Sequence, residues 1–322
     1  MQPDPALVAR FKVDLQKLTE GRPERLGVAV SGGPDSLALL LLAAAAYPGR
    51  VYAATVDHGL RPEGASEARL VAGICERLAV PHEILDPNWP APPCSNVPAK
   101  AREARYWALS SWAARNQVPW ISTGHHLDDQ AETLLMRLGR GAGVSGLAGI
   151  RSVNEWLGQR KDGVVRALLG WRKAELVGIV QAAGLTAVND PTNDSDTLDR
   201  THVRRLLAAG QWLDPARIAS SAAHLADAEE ALAWTMERVW QARGQEPKDG
   251  NVPIDARDLP RELQRRLLLR ALAYFTDETA IPGPKLMTLL DALLSGRTAT
   301  LAGVKVEAGD TWRLSLAPPR RG

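Results

Sequence analysis

Residues 26 to 42 join a short apolar run to a longer one through two glycines and a proline. The first run predicts a buried strand and the second a helix, because the break between them has the composition of a tight turn. Gly32 and Gly33 permit positive φ and the close approach of a ligand, and Pro34 suits the first position of a helix. This order of elements directs main-chain N–H groups and a helix N-terminus at one point. The stretch therefore predicts an anion-binding loop.

Asp35 distinguishes this loop from the common phosphate-binding loops. The loop has no Gly-Lys-Ser/Thr ending and no G-x-G-x-x-G pattern. A carboxylate at this position repels a bare phosphate. It favours phosphate binding only if it holds a Mg²⁺ ion that the phosphates also bind. Ser31 and Ser36 add hydroxyl donors. The alternative interpretation is a tight turn in which Asp35 complements the helix dipole, an effect worth about 0.3–1 kcal/mol.

Short apolar runs alternate with helical patterns through most of the first two hundred residues. This alternation predicts an α/β fold with a parallel sheet that is covered on both faces. Ligands in such sheets bind beyond the carboxyl ends of the strands. The glycine loop, Asp57 and Gly124 each follow a predicted strand, so we expect them at one crevice. The predicted strands span residues 26–30, 51–56, 82–85 and 120–123.

The length of 322 residues predicts two domains. We place the boundary near Asp214 and Pro215, which gives domains of residues 1–215 and 216–322. The second is predicted to be smaller and mostly helical, with a polar linker after residue 243 and short strands at its end. A net charge of +2 is too small to indicate a nucleic-acid partner by itself. No run has the character of a signal peptide or the length of a membrane span, so a cytoplasmic location without a membrane partner is expected.

Residues 122 to 133 form a second constellation of chemically active side chains. Asp128 and Glu132 lie one helical turn apart and share a face, and His125 and His126 precede them. Clustered carboxylates at a strand end suit Mg²⁺, whereas the same carboxylates with histidines suit a transition-metal hydrolase. A capped helix with solvated histidines would have the same composition. The residues alone leave the three interpretations open.

The motifs together resemble one family, the tRNA(Ile)-lysidine synthetases, which are N-type ATP pyrophosphatases. The resemblance covers roughly residues 24 to 205, and its motifs occur in the family's order. Ala167 departs from the family pattern where a proline is usual, and Thr201 and His202 depart from it between two retained arginines. The matching segments are residues 31–36, 56–61, 101–106, 122–133, 138–149, 189–193 and 200–204.

The resemblance implies a fold and a reaction. The fold is the Rossmann-like, adenine nucleotide alpha hydrolase-like sheet of the N-type ATP pyrophosphatases. The reaction is the ATP-dependent ligation of free L-lysine to C2 of the wobble cytidine of tRNA(Ile) with a CAU anticodon. The cytidine is first adenylated with release of pyrophosphate, and the lysine amine then displaces AMP to give lysidine. ATP and Mg²⁺ are the implied cofactors, and a homodimer is expected because family members are often dimers.

The resemblance also assigns residues to roles, and the base for the lysine amine stays open among His125, Asp128 and Glu132. Asp35 and Asp128 are the expected Mg²⁺ ligands. The expected ATP-binding residues are Ser31, Gly32, Gly33, Pro34, Asp35, Ser36, Asp57 and Gly124. The expected catalytic residues are Asp35, Arg105, His125, Asp128 and Glu132. The expected substrate and tRNA contacts are Arg102, Arg137, Arg140, Asn193, Arg200 and Arg204.

Three other functions remain as alternatives. A tRNA thiolase of the same superfamily requires reactive cysteines, and Cys75 and Cys94 form no Cys-x-x-Cys pair. A tRNA-binding protein without catalysis would bind tRNA and consume no ATP. A metal-dependent phosphoesterase would use Asp57, His58, His125, His126, Asp128 and Asp129.

Overall fold

A computed structural model describes the chain in ten segments, and the chain divides into two compact units, Met1–Ala226 and Asp227–Gly322. This division falls inside a helix that begins at Pro215, so the predicted domains 1–215 and 216–322 stay a prediction. Asn193 and Cys94 lie outside the described residues. The described residues are 1–21, 23–59, 62–87, 97–156, 162–188, 198–210, 212–244, 247, 249–277 and 281–318.

The first unit contains a six-stranded sheet in the order β3-β2-β1-β4-β6-β5. All neighbouring strands are parallel except β5, which pairs antiparallel with β6. The prediction of a parallel α/β fold is therefore confirmed. Since β1 lies between β2 and β4, the strand order reverses there, and the carboxyl ends of β1 and β4 form a topological switch point. The strands are β1 Leu26–Ala29, β2 Val51–Val56, β3 His82–Leu85, β4 Trp120–Ser122, β5 Val153–Glu155 and β6 Gly163–Val165.

Helix α2, Pro34–Ala46, lies at the centre of the packing on one face of the sheet. Every residue from 36 to 43 is buried, which accounts for its run of leucines and alanines. Ala53 packs with this cluster while its neighbour Ala54 packs with Trp112 on the other face, as the alternation of a strand requires. The other helices of this unit are α1 Pro5–Leu18, α3 Gly64–Arg77, α4 Val97–Arg115, α5 Leu127–Gly139, α6 Val144–Leu147, α7 Lys173–Ala182, α8 Leu198–Ala209 and α9 Pro215–Arg243, the last of which continues into the second unit.

The second unit combines helices with a four-stranded antiparallel sheet in the order β7-β10-β9-β8. The prediction of a helical region ending in short strands is confirmed, but β7 lies in the segment that was predicted to be a polar linker. Val252 and Ile254 are buried there, and Pro253 is tolerated because β7 is an edge strand. The elements are β7 Asn251–Ile254, α10 Arg261–Leu272, α11 Gly283–Leu294, β8 Ala299–Leu301, β9 Val304–Glu307 and β10 Trp312–Leu316.

Within the described part of the chain, no helix combines the length and apolarity needed to cross a bilayer.

Cys75 of α3 provides a probe of the stability of the first unit. Its side chain is buried, and burial raises the pKa of the thiol to about 12. In a Cys94→Ser variant, we predict that a thiol reagent at pH 8 labels Cys75 at least about a thousandfold more slowly than it labels the same chain in denaturant. The measurement is the time course of labelling, and rapid labelling of the native chain would contradict it. Because an unfolded thiol ionises near pH 8.5 and the folded one does not, raising the pH above that value also lowers stability.

Candidate active site

The loop between β1 and α2 presents an open helix N-terminus. Gly32 has a φ of +87°, and Gly33 precedes the helix without any side-chain cap. The Ser31 N–H donates to Ser36 Oγ at 3.1 Å, and Ser36 Oγ donates to the Gly33 carbonyl at 3.0 Å, so the two serines hold the loop. Among the described residues, the N–H groups of Gly32, Gly33, Asp35 and Ser36 have no acceptor. These four N–H groups are available to an anion.

Gly124, which follows β4, packs directly on this loop. A Cβ added at Gly124 would lie 3.1 Å from the carbonyl carbon of Asp35 and 3.1 Å from the Ser36 nitrogen. Those are backbone atoms, which cannot swing aside as a flexible side chain does. Glycine at this position therefore lets the ends of β1 and β4 meet at the switch point.

We predict that Gly124→Ala reduces ATP-dependent activity by about 10- to 100-fold without unfolding the chain, because the added methyl group displaces the start of α2. The measurement is the rate of AMP formation beside a thermal unfolding curve. Gly178→Ala is the matched control, since Gly178 lies in helix α7 with nothing within 4 Å of an added Cβ. It should leave activity unchanged and raise stability by about 0.5–1 kcal/mol. Equal activity of the two variants would contradict the role of Gly124.

His126 connects the glycine loop to the carboxylates of α5. It caps this helix, with Nδ1 accepting from the Asp129 N–H at 3.4 Å, and its Nε2 lies 3.5 Å from Asp35 Oδ2. Burial lowers the pKa of His126, but the hydrogen bond to Asp35 and the charges of Asp129, Asp35 and Asp128 outweigh burial and raise it. His126 has no part in the reaction that the resemblance implies, so this contact with Asp35 was not predicted from the sequence. The only available signal was its place three residues before Asp129, the spacing of a capping box.

The two carboxylates predicted to act on lysine have different surroundings. Asp128 Oδ2 accepts from the Lys173 N–H at 2.8 Å and pairs with no arginine among the described residues. Glu132 is buried, and it accepts from Arg200 Nε at 2.7 Å and from Arg204 Nε at 2.8 Å. Both arginines, which we predicted to contact tRNA, thus bind a carboxylate of the site in this structure. Their role toward RNA stays a prediction.

His125 lies in a cationic part of the same crevice. Its Nδ1 is 2.9 Å from Thr123 Oγ1. Burial lowers the pKa of His125 to about 4, and nearby arginines add to this effect against the opposing charge of Asp129. The imidazole is therefore neutral at pH 7 and is a weaker base than an ordinary histidine. The arginines that act on it are Arg166, Arg102 and Arg200.

The remaining predicted residues occupy several places around the site. Asp57 Oδ1 accepts from the Gly59 N–H at 3.0 Å, which shapes the turn after β2. Arg137 donates to the carbonyls of Gly146 and Gly149 at 2.7 and 2.9 Å and so holds the glycine-rich loop, which contains the short helix α6. Arg102, Arg105 and Arg140 have exposed side chains, the first lying over the Tyr106 ring at 5.0 Å.

The donor set at the loop fits a magnesium ion that is shared with phosphates. Asp35 Oδ1 is buried and has no hydrogen-bond partner among the described residues, which suits a ligand that arrives with the nucleotide. Mg²⁺ bound with phosphates needs only one or two carboxylates from the protein. Across the described segments, no group of three or more His, Cys, Asp or Glu side chains is arranged to hold a metal ion. The residues named for the phosphoesterase alternative therefore form no metal centre within these described segments.

A parallel sheet with an open, glycine-lined helix N-terminus at its switch point defines a nucleotide-binding protein of the PP-loop class. The family model described as PP-loop domain matches residues 7–210. The chain belongs to the tRNA(Ile)-lysidine synthase family. It is 45% identical over 314 residues to the tRNA(Ile)-lysidine synthase of Novosphingobium aromaticivorans, covering 97% of this chain and 94% of that one. The enzyme of that name from Zymomonas mobilis is 45% identical over 300 residues, covering 92% and 90%.

A solved structure agrees on the fold. The U34-tRNA thiolase NcsA of Methanococcus maripaludis superposes with a TM-score of 0.54 and 17% identity, covering 70% of this chain and 80% of that one. At this identity the likeness concerns the fold alone. It bears out the predicted PP-loop sheet and says nothing about sulfur chemistry in this chain.

Proposed function

We propose that this chain ligates free L-lysine to C2 of the wobble cytidine of a CAU-anticodon tRNA(Ile), converting ATP to AMP and pyrophosphate. The observation that carries the proposal is the open PP-loop in a chain that matches curated tRNA(Ile)-lysidine synthases along nearly its whole length. The cytosine must leave its loop to react, as bases of single-stranded RNA targets do.

In the first step, the C2 oxygen of cytosine attacks the α-phosphate of ATP, and pyrophosphate leaves. The developing charge on the leaving group needs donors that are already in place, which the N–H groups of Gly32, Gly33, Asp35 and Ser36 supply. Asp35 would hold Mg²⁺, which would supply positive charge to the phosphates, whereas Asp128, the second expected ligand, is assigned below to the lysine amine instead. Arg105 is assigned to the α-phosphate or to the orientation of the base.

In the second step, the lysine ε-amine attacks C2 and AMP leaves. The amine has a reference pKa near 10.4, so its deprotonation at pH 7 costs about 4–5 kcal/mol, and a carboxylate that accepts the proton as the amine attacks lowers this barrier. Glu132 has both oxygens bound to arginines, and His125 has a pKa of about 4. We therefore assign the base to Asp128, which pairs with no arginine in the described part of the chain.

The test incubates the chain with CAU-anticodon tRNA(Ile), Mg·ATP and labelled lysine, and follows the label on the RNA together with AMP. Label on the tRNA with equimolar AMP supports the proposal. Label that requires a sulfur donor would indicate a thiolase, and phosphate release without tRNA would indicate a phosphoesterase. Binding of tRNA without AMP formation would indicate a binding protein.

A homodimer and a cytoplasmic location belong to the proposal as well; the first rests on the resemblance, and the second on a sequence without a run typical of a signal peptide or a membrane span. Sedimentation equilibrium of the purified chain tests the first, since a dimer has twice the mass of 34.8 kDa. Fractionation of cells that express a tagged chain tests the second. A monomer at micromolar concentration, or a chain recovered with membranes, would refute the corresponding part.

A further inference from the structure

Arg166 is a buried arginine for which the described residues provide no counter-ion. Only 3% of the residue is exposed, directly after the end of β6. Its Nη1 donates to the Arg151 carbonyl at 2.6 Å, while its Nε is buried and has no acceptor among the described residues. No carboxylate pairs with it in that part of the chain. Arginine is almost never buried this far without a partner, because removing a charge from water is costly.

The position of Arg166 places this charge at the switch-point edge of the sheet. Strands β4 and β6 are neighbours, and the Thr123 N–H donates to the Val165 carbonyl at 3.1 Å. Arg166 therefore follows β6 beside the segment in which Gly124 and His125 follow β4. Its charge is one of those that lower the pKa of His125, so the guanidinium lies near this partly buried side chain.

The crevice contains charges of both signs. The carboxylates of Asp35, Asp128 and Asp129 surround His126 within 3.6 Å. The charges that act on His125 besides Asp129 are those of Arg166, Arg102 and Arg200, of which Arg200 is already paired with Asp129 and Glu132. A ligand with an anionic group near Arg166 and a cation or a bound metal near the carboxylates around His126 would match this arrangement.

We propose that Arg166 binds an oxyanion of a small substrate, either the carboxylate of the free amino acid or the α-phosphate of the nucleotide. The inference rests on the proposed function, because both substrates come from it. A planar guanidinium binds carboxylate and phosphate through two parallel hydrogen bonds, and the unused Nε is one of its donors. A backbone phosphate of RNA fits less well, because a residue that is 3% exposed leaves no room for a polymer.

The experiment compares Arg166→Gln and Arg166→Lys with the wild-type chain. Arg50→Gln is the control, since Arg50 is exposed and precedes β2 at the opposite edge of the sheet. Two reactions are measured: pyrophosphate release from ATP with tRNA and no amine, and the second step with lysine or with cadaverine, which is lysine without its carboxylate. Thermal unfolding of each variant is followed in parallel, and equilibrium dialysis gives the affinities for ATP and lysine independently of turnover.

Binding of the amino-acid carboxylate predicts that Arg166→Gln raises the KM for lysine by roughly 10- to 100-fold and leaves that for cadaverine unchanged. Binding of the α-phosphate predicts that the rate of pyrophosphate release falls by a similar factor, while the ratio of the KM for lysine to the KM for cadaverine stays unchanged. In either case Arg166→Lys recovers part of the loss and Arg50→Gln causes none. Wild-type kinetics in Arg166→Gln, or a parallel loss in every assay that Arg166→Lys does not relieve, would overturn the proposal.

The proposed function is judged separately, on the wild-type chain. If the wild-type chain does not attach labelled lysine to tRNA, the proposed function is refuted. Equilibrium dialysis with ATP and lysine still tests whether Arg166 binds an oxyanion. If wild type makes lysidine and the Arg166 variants match it in both steps, the function stands and the inference fails. If Arg166→Gln does not fold, the ratio of the KM for lysine to the KM for cadaverine is measured in Arg166→Lys instead. A purely structural arginine would leave that ratio at its wild-type value.

Discussion

Asp35→Asn is expected to reduce tRNA-dependent formation of AMP by at least about a thousandfold, while the affinity for tRNA changes little. The substitution keeps the shape of the side chain and removes the charge that would hold Mg²⁺ against the phosphates. The buried Oδ1 has no protein partner among the described residues, so few contacts of the free chain are lost. The measurements are AMP release under saturating ATP and a tRNA gel shift.

Glu76→Gln controls for the Asp35 variant, since Glu76 is an exposed carboxylate of α3 whose loss should leave both measurements unchanged. Added Mg²⁺ should not restore the Asp35→Asn variant, because an amide oxygen is a weak ligand beside a carboxylate. If AMP formation and tRNA binding fell together, Asp35 would have a structural role and the assignment of the metal to it would be wrong.

Glu132→Gln has the second-largest expected effect, on stability and activity together. A glutamine has no charge and one acceptor oxygen, so Arg200 and Arg204 each lose an ion pair with this side chain, although Arg200 keeps Asp129 at 3.1 Å. Glu132 has 7% of its side chain exposed and the arginines 28% and 32%, so we expect a loss of about 2–3 kcal/mol, below that of a fully buried pair. Activity should fall at least about a hundredfold, because Arg200, once released from Glu132, lies beside Asp129 and acts on the pKa of His125.

Urea unfolding and steady-state rates measure the effects of Glu132→Gln. Glu83→Gln is its matched control, since Glu83 pairs with Arg115 at 2.7 Å with both side chains exposed, and should cost less than about 1 kcal/mol. Similar losses in the two variants would show that the pairs of Glu132 with Arg200 and Arg204 do not stabilise α5 against α8. Addition of Arg200→Gln to Glu132→Gln should cost less than the two changes summed.

The local part of the site was predictable because neighbouring residues determine it. Gly32 at positive φ, Pro34 at the helix start and the buried run of α2 follow from backbone freedom and hydrophobic periodicity. The parallel sheet followed from the alternation of strands and helices, and it placed three strand ends at one edge. Strand β7 was missed because four residues that include Pro253 are too short for a pattern of alternation.

The sequence by itself therefore determined the class of fold, the anion-binding loop and the identity of the family, all of which depend on residues close in the chain or on ordered motifs. Only the tertiary structure decided which partners the charged groups have. Glu132 binds Arg200, 68 residues further along the chain, Gly124 packs on the backbone of Asp35, and Arg166 is buried with no carboxylate partner among the residues that the structure describes. Such contacts depend on how strands and helices cross in space, and spacing along a single chain does not encode that geometry.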